Sequence, residues 1–207
     1  MFSKHGPFLH EIQTLRRFDH VKNPYIIKLL ASFEQPDQED HINYHLIFPW
    51  AWGNLSNFWT NHHEFTKVPG FTTWMARQCT GLASGLALIH NYDEDNDNQT
   101  YDLLALTEDG ERIPEYGRHG DLKPENILWF PKGTESNGAS GTLVLSEFGL
   151  TTYHGKRSRS NSPAGTMVVG LTYRPPESDG RGSVSRAFDI WSLGCTFLDF
   201  VTWYLRG

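Results

Sequence analysis

The sequence has few cysteines, no excess of positive charge and no apolar stretch of membrane-spanning length. Its two cysteines, Cys79 and Cys195, are far apart and show no zinc-ligand or disulfide spacing, which is typical of proteins from a reducing compartment. The 24 acidic and 18 basic side chains give a net charge of −6, which argues against a broad surface for binding polyanions.

The longest apolar stretch, residues 190–205, is interrupted by Asp199 and is shorter than the roughly 20 residues that cross a bilayer. The N-terminal segment has no apolar signal-peptide core. We therefore expect an intracellular protein, cytoplasmic or nuclear, with no membrane partner and no nucleic-acid partner. Its 207 residues, of which 38% are hydrophobic, suffice for one globular domain with a core.

The spacing of apolar residues predicts three helices. Residues 8–19 carry a stripe of apolar side chains at helical intervals, and Phe71–His90 continues such a pattern over the whole of its length. Residues 187–204 form a third, strongly apolar helical stretch. Two of these helices are long enough to be the main scaffold of the domain.

β-branched and aromatic runs predict strands at residues 26–33 and 44–48, which are expected to pair in antiparallel fashion. Two further short runs, 127–130 and 142–145, flank a loop rich in Gly, Ser and Asn and are expected to form a β-hairpin. Residues 91–118 are polar and are expected to be an excursion on the surface.

The strongest chemical signal is the segment HGDLKPEN at residues 119–126. It places a carboxylate (Asp121), an ammonium group (Lys123) and an amide (Asn126) in one short loop. Phosphoryl transfer needs such a set, because an Asp orients the attacking hydroxyl, a cation offsets phosphate charge and an Asn holds a metal ion. The sequence therefore points to phosphoryl-transfer chemistry.

This segment resembles the catalytic loop of the protein kinase family, and its Lys-Pro-Glu-Asn part is similar to the serine/threonine branch. The resemblance implies that Asp121 is the catalytic base, that Lys123 contacts the γ-phosphate of ATP and that Asn126 is a magnesium ligand. His119 is implied to be structural.

A second segment, Ser146-Glu147-Phe148-Gly149-Leu150, resembles the family's Asp-Phe-Gly element, whose acid binds magnesium. The resemblance makes Glu147 the second magnesium ligand, and it makes Phe148 and Gly149 structural residues. Because Glu is one methylene longer than Asp and magnesium demands near-ideal geometry, the efficiency of catalysis is an open question.

Two later segments extend the resemblance. Residues 173–177, Tyr-Arg-Pro-Pro-Glu, look like the Ala-Pro-Glu element that ends the activation segment, with Glu177 as a structural residue and Thr172 facing the substrate. Residues 189–194 are similar to the start of the central C-lobe helix. There Asp189 is implied to brace the catalytic loop, and a simple helix cap is the alternative.

Upstream, residues 8–19 look like the regulatory helix of the N-lobe, with Glu11 as its ion-pair glutamate. The resemblance also implies that Phe48 is the gatekeeper and that Pro49, Trp50 and Ala51 form the hinge that contacts adenine through backbone groups. Plain core packing is the alternative for these apolar hinge residues.

The resemblance implies an α+β, protein kinase-like fold with a mostly helical C-lobe. It divides the chain into a partial N-lobe (1–48, one regulatory helix and two strands), a hinge (49–55) and a partial C-lobe (56–207). No glycine-rich loop or strand lysine precedes Glu11, and Gly120 replaces the usual arginine. We therefore expect the sequence to be part of a longer kinase domain, truncated at both ends.

The implied activity is transfer of the ATP γ-phosphoryl group to Ser/Thr hydroxyls of a protein substrate, with Mg²⁺ as cofactor. Two alternatives stay open. One is a catalytically impaired pseudokinase that acts as a binding or scaffold module. The other is a small-molecule phosphotransferase of the aminoglycoside-kinase type, since those enzymes favour His-Gly-Asp in this loop.

Overall fold

A computed structural model describes residues 5–19, 21–38, 41–91, 115–132, 141–155, 171–176 and 185–207. Within these ranges the chain forms four α-helices: α1 (His5–Arg16), α2 (Leu55–Asn61), α3 (Phe71–His90) and α4 (Arg186–Arg206). The strands are β1 (Ala31–Pro36), β2 (Ile42–Ile47), β3 (Gly53–Asn54), β4 (Glu115–Arg118), β5 (Ile127–Phe130), β6 (Thr142–Leu145) and β7 (Thr152–Gly155). The predicted α+β class is confirmed.

Among the described residues the strands form three small antiparallel sheets, namely β1–β2, β3–β5–β6 and β4–β7. Short 3₁₀ turns occur at His63–Lys67, Pro124–Asn126, Phe148–Leu150 and Leu171–Tyr173. The predicted hairpin is confirmed as β5–β6, with Ile127 opposite Leu145. The loop at residues 119–126 thus leads directly into β5, the first strand of this hairpin.

The two long helices carry most of the core. α3 has the predicted bounds and buries Phe71, Leu82 and Ile89 along one face. α4 begins after Ser185, whose side chain accepts a hydrogen bond from the Ala187 N–H, as an N-cap residue does. Burial of such apolar faces is the main force that fixes the two helices.

An aromatic cluster joins α2, α3, α4 and the hairpin. The Phe58 ring lies 5.6 Å from that of Trp74, 5.0 Å from that of Trp129 and 5.7 Å from that of Trp203. Each such ring pair adds about 0.5–1.5 kcal/mol beyond simple burial. The cluster therefore holds the hairpin rigidly against both long helices.

No helix in the described ranges is both long and apolar enough to pass through a bilayer.

Two strand predictions need correction. Residues 26–30 are not part of the β1 strand; instead the Ile27 N–H donates to the Leu145 carbonyl at 2.9 Å, and the Leu145 N–H donates to the Tyr25 carbonyl at 2.8 Å. Residues 25–27 therefore line the second edge of β6. Residues 115–118, predicted to belong to a surface excursion, form β4 and pair with β7; the rest of that excursion, residues 92–114, lies outside the described residues.

The turn at Gly141 provides a stability test. Gly141 has a φ of +113°, and an added Cβ would lie 2.2 Å from the Phe130 carbonyl oxygen. Because backbone atoms cannot move aside cheaply, Gly141→Ala is expected to lower the free energy of unfolding by roughly 2–4 kcal/mol. Urea denaturation followed by circular dichroism measures the change.

The matched control is Gly194→Ala in α4, where a Cβ meets no atom within 4 Å. Helix propensity there favours Ala over Gly by about 1 kcal/mol. Equal effects of the two substitutions would contradict the strain assigned to Gly141.

Candidate functional site

His119 fixes the start of the loop that the sequence singles out. Its ring is fully buried, and Nε2 lies 2.9 Å from the Ser146 carbonyl oxygen. Since a carbonyl only accepts, Nε2 carries the proton, and Nδ1 is left to accept from the Asp121 N–H at 3.4 Å. Burial lowers the pKa of His119, and the nearby Asp189 carboxylate opposes this only in part. A neutral histidine therefore links the loop to the strand end at Ser146.

Asp189 binds the backbone of the same loop through both of its carboxylate oxygens. Its side chain is 0% exposed. Its Oδ2 accepts from the His119 N–H at 2.8 Å, and its Oδ1 accepts from the Gly120 N–H at 2.9 Å. His90, the last residue of α3, places Nε2 2.8 Å from the same Oδ2. The contact that the resemblance implied for Asp189 is thus present, and Asp189 does more than cap a helix.

Asp121, Lys123 and Asn126 come together as one polar cluster. Asp121 Oδ2 accepts from Lys123 Nζ at 2.7 Å and from Asn126 Nδ2 at 2.8 Å. The same amide also donates to the Asp121 carbonyl at 2.9 Å. Asp121 Oδ1 is buried and has no hydrogen-bond partner among the described residues. A buried carboxylate oxygen without a donor is costly, and such atoms are common at reactive sites.

The hairpin brings the acid of the second segment beside this cluster. The Asn126 carbonyl accepts from the Ser146 N–H at 3.0 Å and from the Ser146 hydroxyl at 2.9 Å. Ser146 precedes Glu147 directly, so pairing of β5 with β6 delivers Glu147 to the edge that carries Asn126. The pairing of these two strands therefore places the two predicted metal ligands, Asn126 and Glu147, at the same end of the hairpin.

Glu147 has an unusual backbone and an exposed side chain. Its φ of 65° and ψ of 71° lie in the left-handed region, where a residue other than glycine costs about 1–3 kcal/mol. Such strain is concentrated at functional sites. Within the described part of the chain, its carboxylate forms no hydrogen bond. The strained turn thus presents a free carboxylate to solvent beside the loop.

Helix α1 packs on the turn that follows Glu147. The Phe18 and Phe148 rings are 5.7 Å apart, and the fully buried Phe148 also lies 5.2 Å from the His119 ring. Glu11 Oε2 lies 3.7 Å from where a Cβ on Gly149 would be. Burial raises the pKa of Glu11, and the charge on Glu147 raises it further. The two acids therefore face each other across the turn.

The oxygen ligands near this turn suit a magnesium ion. Because Asn126 Nδ2 donates to Asp121, the amide oxygen of Asn126 is left for another partner. With the Glu147 carboxylate this gives one amide and one carboxylate oxygen, which are hard ligands of the kind Mg²⁺ takes, usually with water and phosphate oxygens. The described residues form no cluster of three or more His, Cys, Asp or Glu that would make a stronger metal cage.

The predicted hinge runs beside the hairpin. Phe48 is half-buried against the core, as are Pro49 and Ala51, whereas Trp50 is 88% exposed. The Trp52 N–H donates to the Trp129 carbonyl at 3.1 Å, and β3 then continues this pairing with β5. Packing against the core thus explains why residue 48 is apolar, whereas it does not explain the large apolar side chain of the exposed Trp50. The adenine contact stays a prediction.

The predicted substrate side is only partly described. Thr172 is exposed in a 3₁₀ turn, and the neighbouring Tyr173 carbonyl accepts from the Ser192 hydroxyl at 2.7 Å. The Tyr173 hydroxyl donates to Asp199 at 2.8 Å. Burial raises the pKa of Tyr173, and this hydrogen bond raises it further. Glu177 lies outside the described residues.

Sequence reasoning missed three residues that support the site, namely His10, His90 and Thr151. His90 ends an apolar helix, and its partner Asp189 is distant in sequence. His10 and Thr151 likewise meet only through the tertiary fold, at 2.6 Å. No short-range pattern signals such contacts, although a histidine within an apolar helical end is a hint that it has a buried partner.

Part of the chain is similar in sequence to known protein kinases. Residues 117–205 match the family model described as "Protein kinase domain". The chain is 38% identical over 85 residues to "Probable cyclin-dependent kinase 8" of Dictyostelium discoideum. The matched stretch covers 41% of this chain and 21% of that protein. It is 37% identical over 92 residues to "Cyclin-dependent kinase 7" of the same organism, covering 43% and 22% respectively. The matched part thus spans about a fifth of each relative.

Proposed function

We propose that the protein is a member of the protein kinase family, whose model matches residues 117–205, and that it transfers the γ-phosphoryl group of ATP to serine or threonine hydroxyls of other proteins. The observation that supports this most directly is Asp121. Its Oδ2 is held by Lys123 and Asn126, while its buried Oδ1 has no donor in the described ranges. The Asp121 side chain is 14% exposed, and a substrate hydroxyl that donates to this carboxylate is thereby oriented toward the phosphate.

The surrounding residues complete the proposed chemistry. Asp121 accepts the proton of the hydroxyl, and Asn126 keeps that carboxylate in place through its amide N–H. Lys123 has two further ammonium hydrogens beyond its contact with Asp121, and these are available for a phosphate oxygen. A magnesium ion, when bound through Asn126 and Glu147, offsets the charge of the phosphates. The relatives named above are kinases of the cyclin-dependent type, which favours a protein substrate over a small molecule.

A second function, a nucleotide-insensitive binding module, is favoured by the Glu11–Glu147 pair. Both side chains are acidic, and no lysine or arginine of the described ranges pairs with Glu11. Like charges at short range oppose each other unless a cation lies between them. Glu11 therefore lacks, among the described residues, the ion pair that the kinase resemblance implies, and this favours a module that does not turn over nucleotide.

Binding of Mg²⁺ and ATP separates the two functions. We expect Mg²⁺-ATP to raise the melting temperature of the 207-residue chain in a concentration-dependent way, because a ligand of the native state stabilises it. Asn126→Ala is expected to weaken the fitted affinity by about 10- to 100-fold, as removal of an outer-shell or ligand residue does at metal sites. A thermal-shift titration with and without EDTA measures this.

Asn43→Ala, an exposed asparagine in β2, is the matched control and should leave the affinity unchanged. No shift in the wild-type chain would contradict the kinase proposal and favour the binding module. Equal loss in both variants would show that Asn126 has no special role.

A further inference from the structure

The position of helix α1 is not explained by its predicted ion-pair glutamate. Glu11 lies next to Gly149 and near Glu147, and burial and the Glu147 charge both raise the pKa of Glu11. Apolar packing of Leu15, and of Phe18 just after the helix, holds the C-terminal part of α1, so the polar contacts next to Glu11 are the ones that bear on its N-terminal part.

His10, the neighbour of Glu11, makes such a contact. Its Nε2 lies 2.6 Å from the Thr151 carbonyl oxygen, and since a carbonyl only accepts, Nε2 is the donor. A short hydrogen bond in a partly buried place is stronger than one exposed to water. The two residues are 141 positions apart in sequence, so the bond connects α1 to a remote part of the chain.

Thr151 is itself rigidly placed. It is fully buried, and its N–H donates to the Phe148 carbonyl at 3.0 Å, which closes the 3₁₀ turn after Glu147. Its hydroxyl points to the His119 carbonyl at 3.5 Å, a long contact with the loop that carries Asp121. Movement of Thr151 would therefore change the turn of Glu147 and the start of that loop together.

We propose that His10 is a positioning residue that fixes α1 on the Thr151 carbonyl and thereby holds Glu147 in its strained conformation beside Asn126. This rests on the proposed function, in which Glu147 serves the nucleotide site. His10 acts through Thr151 and the turn, and it touches neither substrate nor nucleotide.

Three variants of the full 207-residue chain test the proposal. His10→Ala removes the donor, whereas His10→Gln keeps an N–H at a similar reach. Gln13→Ala changes an exposed residue on the same helix and is the matched control. Amide hydrogen exchange is measured for peptides covering residues 146–152, and the Kd for Mg²⁺-ATP is measured by thermal-shift titration.

We expect His10→Ala to speed exchange of these peptides about 2- to 10-fold, the effect of losing one hydrogen bond, and to raise the Kd by a similar factor. His10→Gln should restore both values, and Gln13→Ala should change neither. His10→Ala should lower the melting temperature without nucleotide by only about 2–4 °C, as expected for one lost hydrogen bond, whereas a merely structural residue would lower it without changing the Kd.

Unchanged exchange in His10→Ala overturns the proposal, and so does an equal effect of Gln13→Ala. Faster exchange with an unchanged Kd also overturns it, because the contact would then hold the helix without positioning Glu147. A wild-type chain that binds no Mg²⁺-ATP refutes the proposed function instead, and the exchange rates alone then decide whether His10 fixes this segment.

Discussion

Asp121→Asn is expected to lower the rate of phosphoryl transfer by about 10²- to 10⁴-fold, the usual contribution of a positioned general base. The amide oxygen can still accept from Lys123 and Asn126, so the loop should keep its shape. What is lost is the carboxylate that accepts the proton of the substrate hydroxyl. Transfer of labelled γ-phosphate from ATP to a library of Ser- and Thr-containing peptides measures the rate.

Asp19→Asn, at an exposed position after α1, is the control and should leave the rate unchanged. The affinity for Mg²⁺-ATP should change little in Asp121→Asn, because the metal ligands proposed here are Asn126 and Glu147. A variant that retains wild-type activity would exclude Asp121 as the base. Activity absent from the wild-type chain, with Mg²⁺-ATP bound, would favour a nucleotide-dependent binding module.

The loop and the hairpin could be predicted because their signals are local. The spacing of Asp121, Lys123 and Asn126 lies within one short segment, and β5 and β6 are apolar runs joined by a turn-rich loop. Local signals of this kind survive in the fold, since neighbouring residues stay neighbours. The helical periods of α3 and α4 were equally clear, because each helix buries one apolar face.

The remaining features depend on contacts between distant segments. β4 is polar in sequence, and it is a strand only because β7 pairs with it. Residues 26–30 are apolar enough for a strand, yet residues 25–27 pair with the edge of β6 and not with β2. The hydrogen bonds of His10 and His90 cross more than ninety positions, so no local pattern can show them.

Asp189→Ala is expected to lower the free energy of unfolding by about 3–5 kcal/mol. Removal of this buried carboxylate leaves the His119 N–H, the Gly120 N–H and the His90 ring without their acceptor. Each buried donor without a partner costs about 1–3 kcal/mol, and water cannot easily replace an acceptor that is 0% exposed. Urea denaturation at neutral pH, followed by tryptophan fluorescence, measures the change.

Asp189→Asn should fall between wild type and Asp189→Ala, because one amide oxygen still accepts while the amide N–H₂ faces a backbone donor. Asp199→Ala, on the same helix but exposed, loses one bond to Tyr173 and should change stability by no more than about 1 kcal/mol. If Asp189→Ala were as mild as Asp199→Ala, the carboxylate would not be what holds the His119–Gly120 backbone. The position of Asp121 would then need another support, since this backbone leads directly into it.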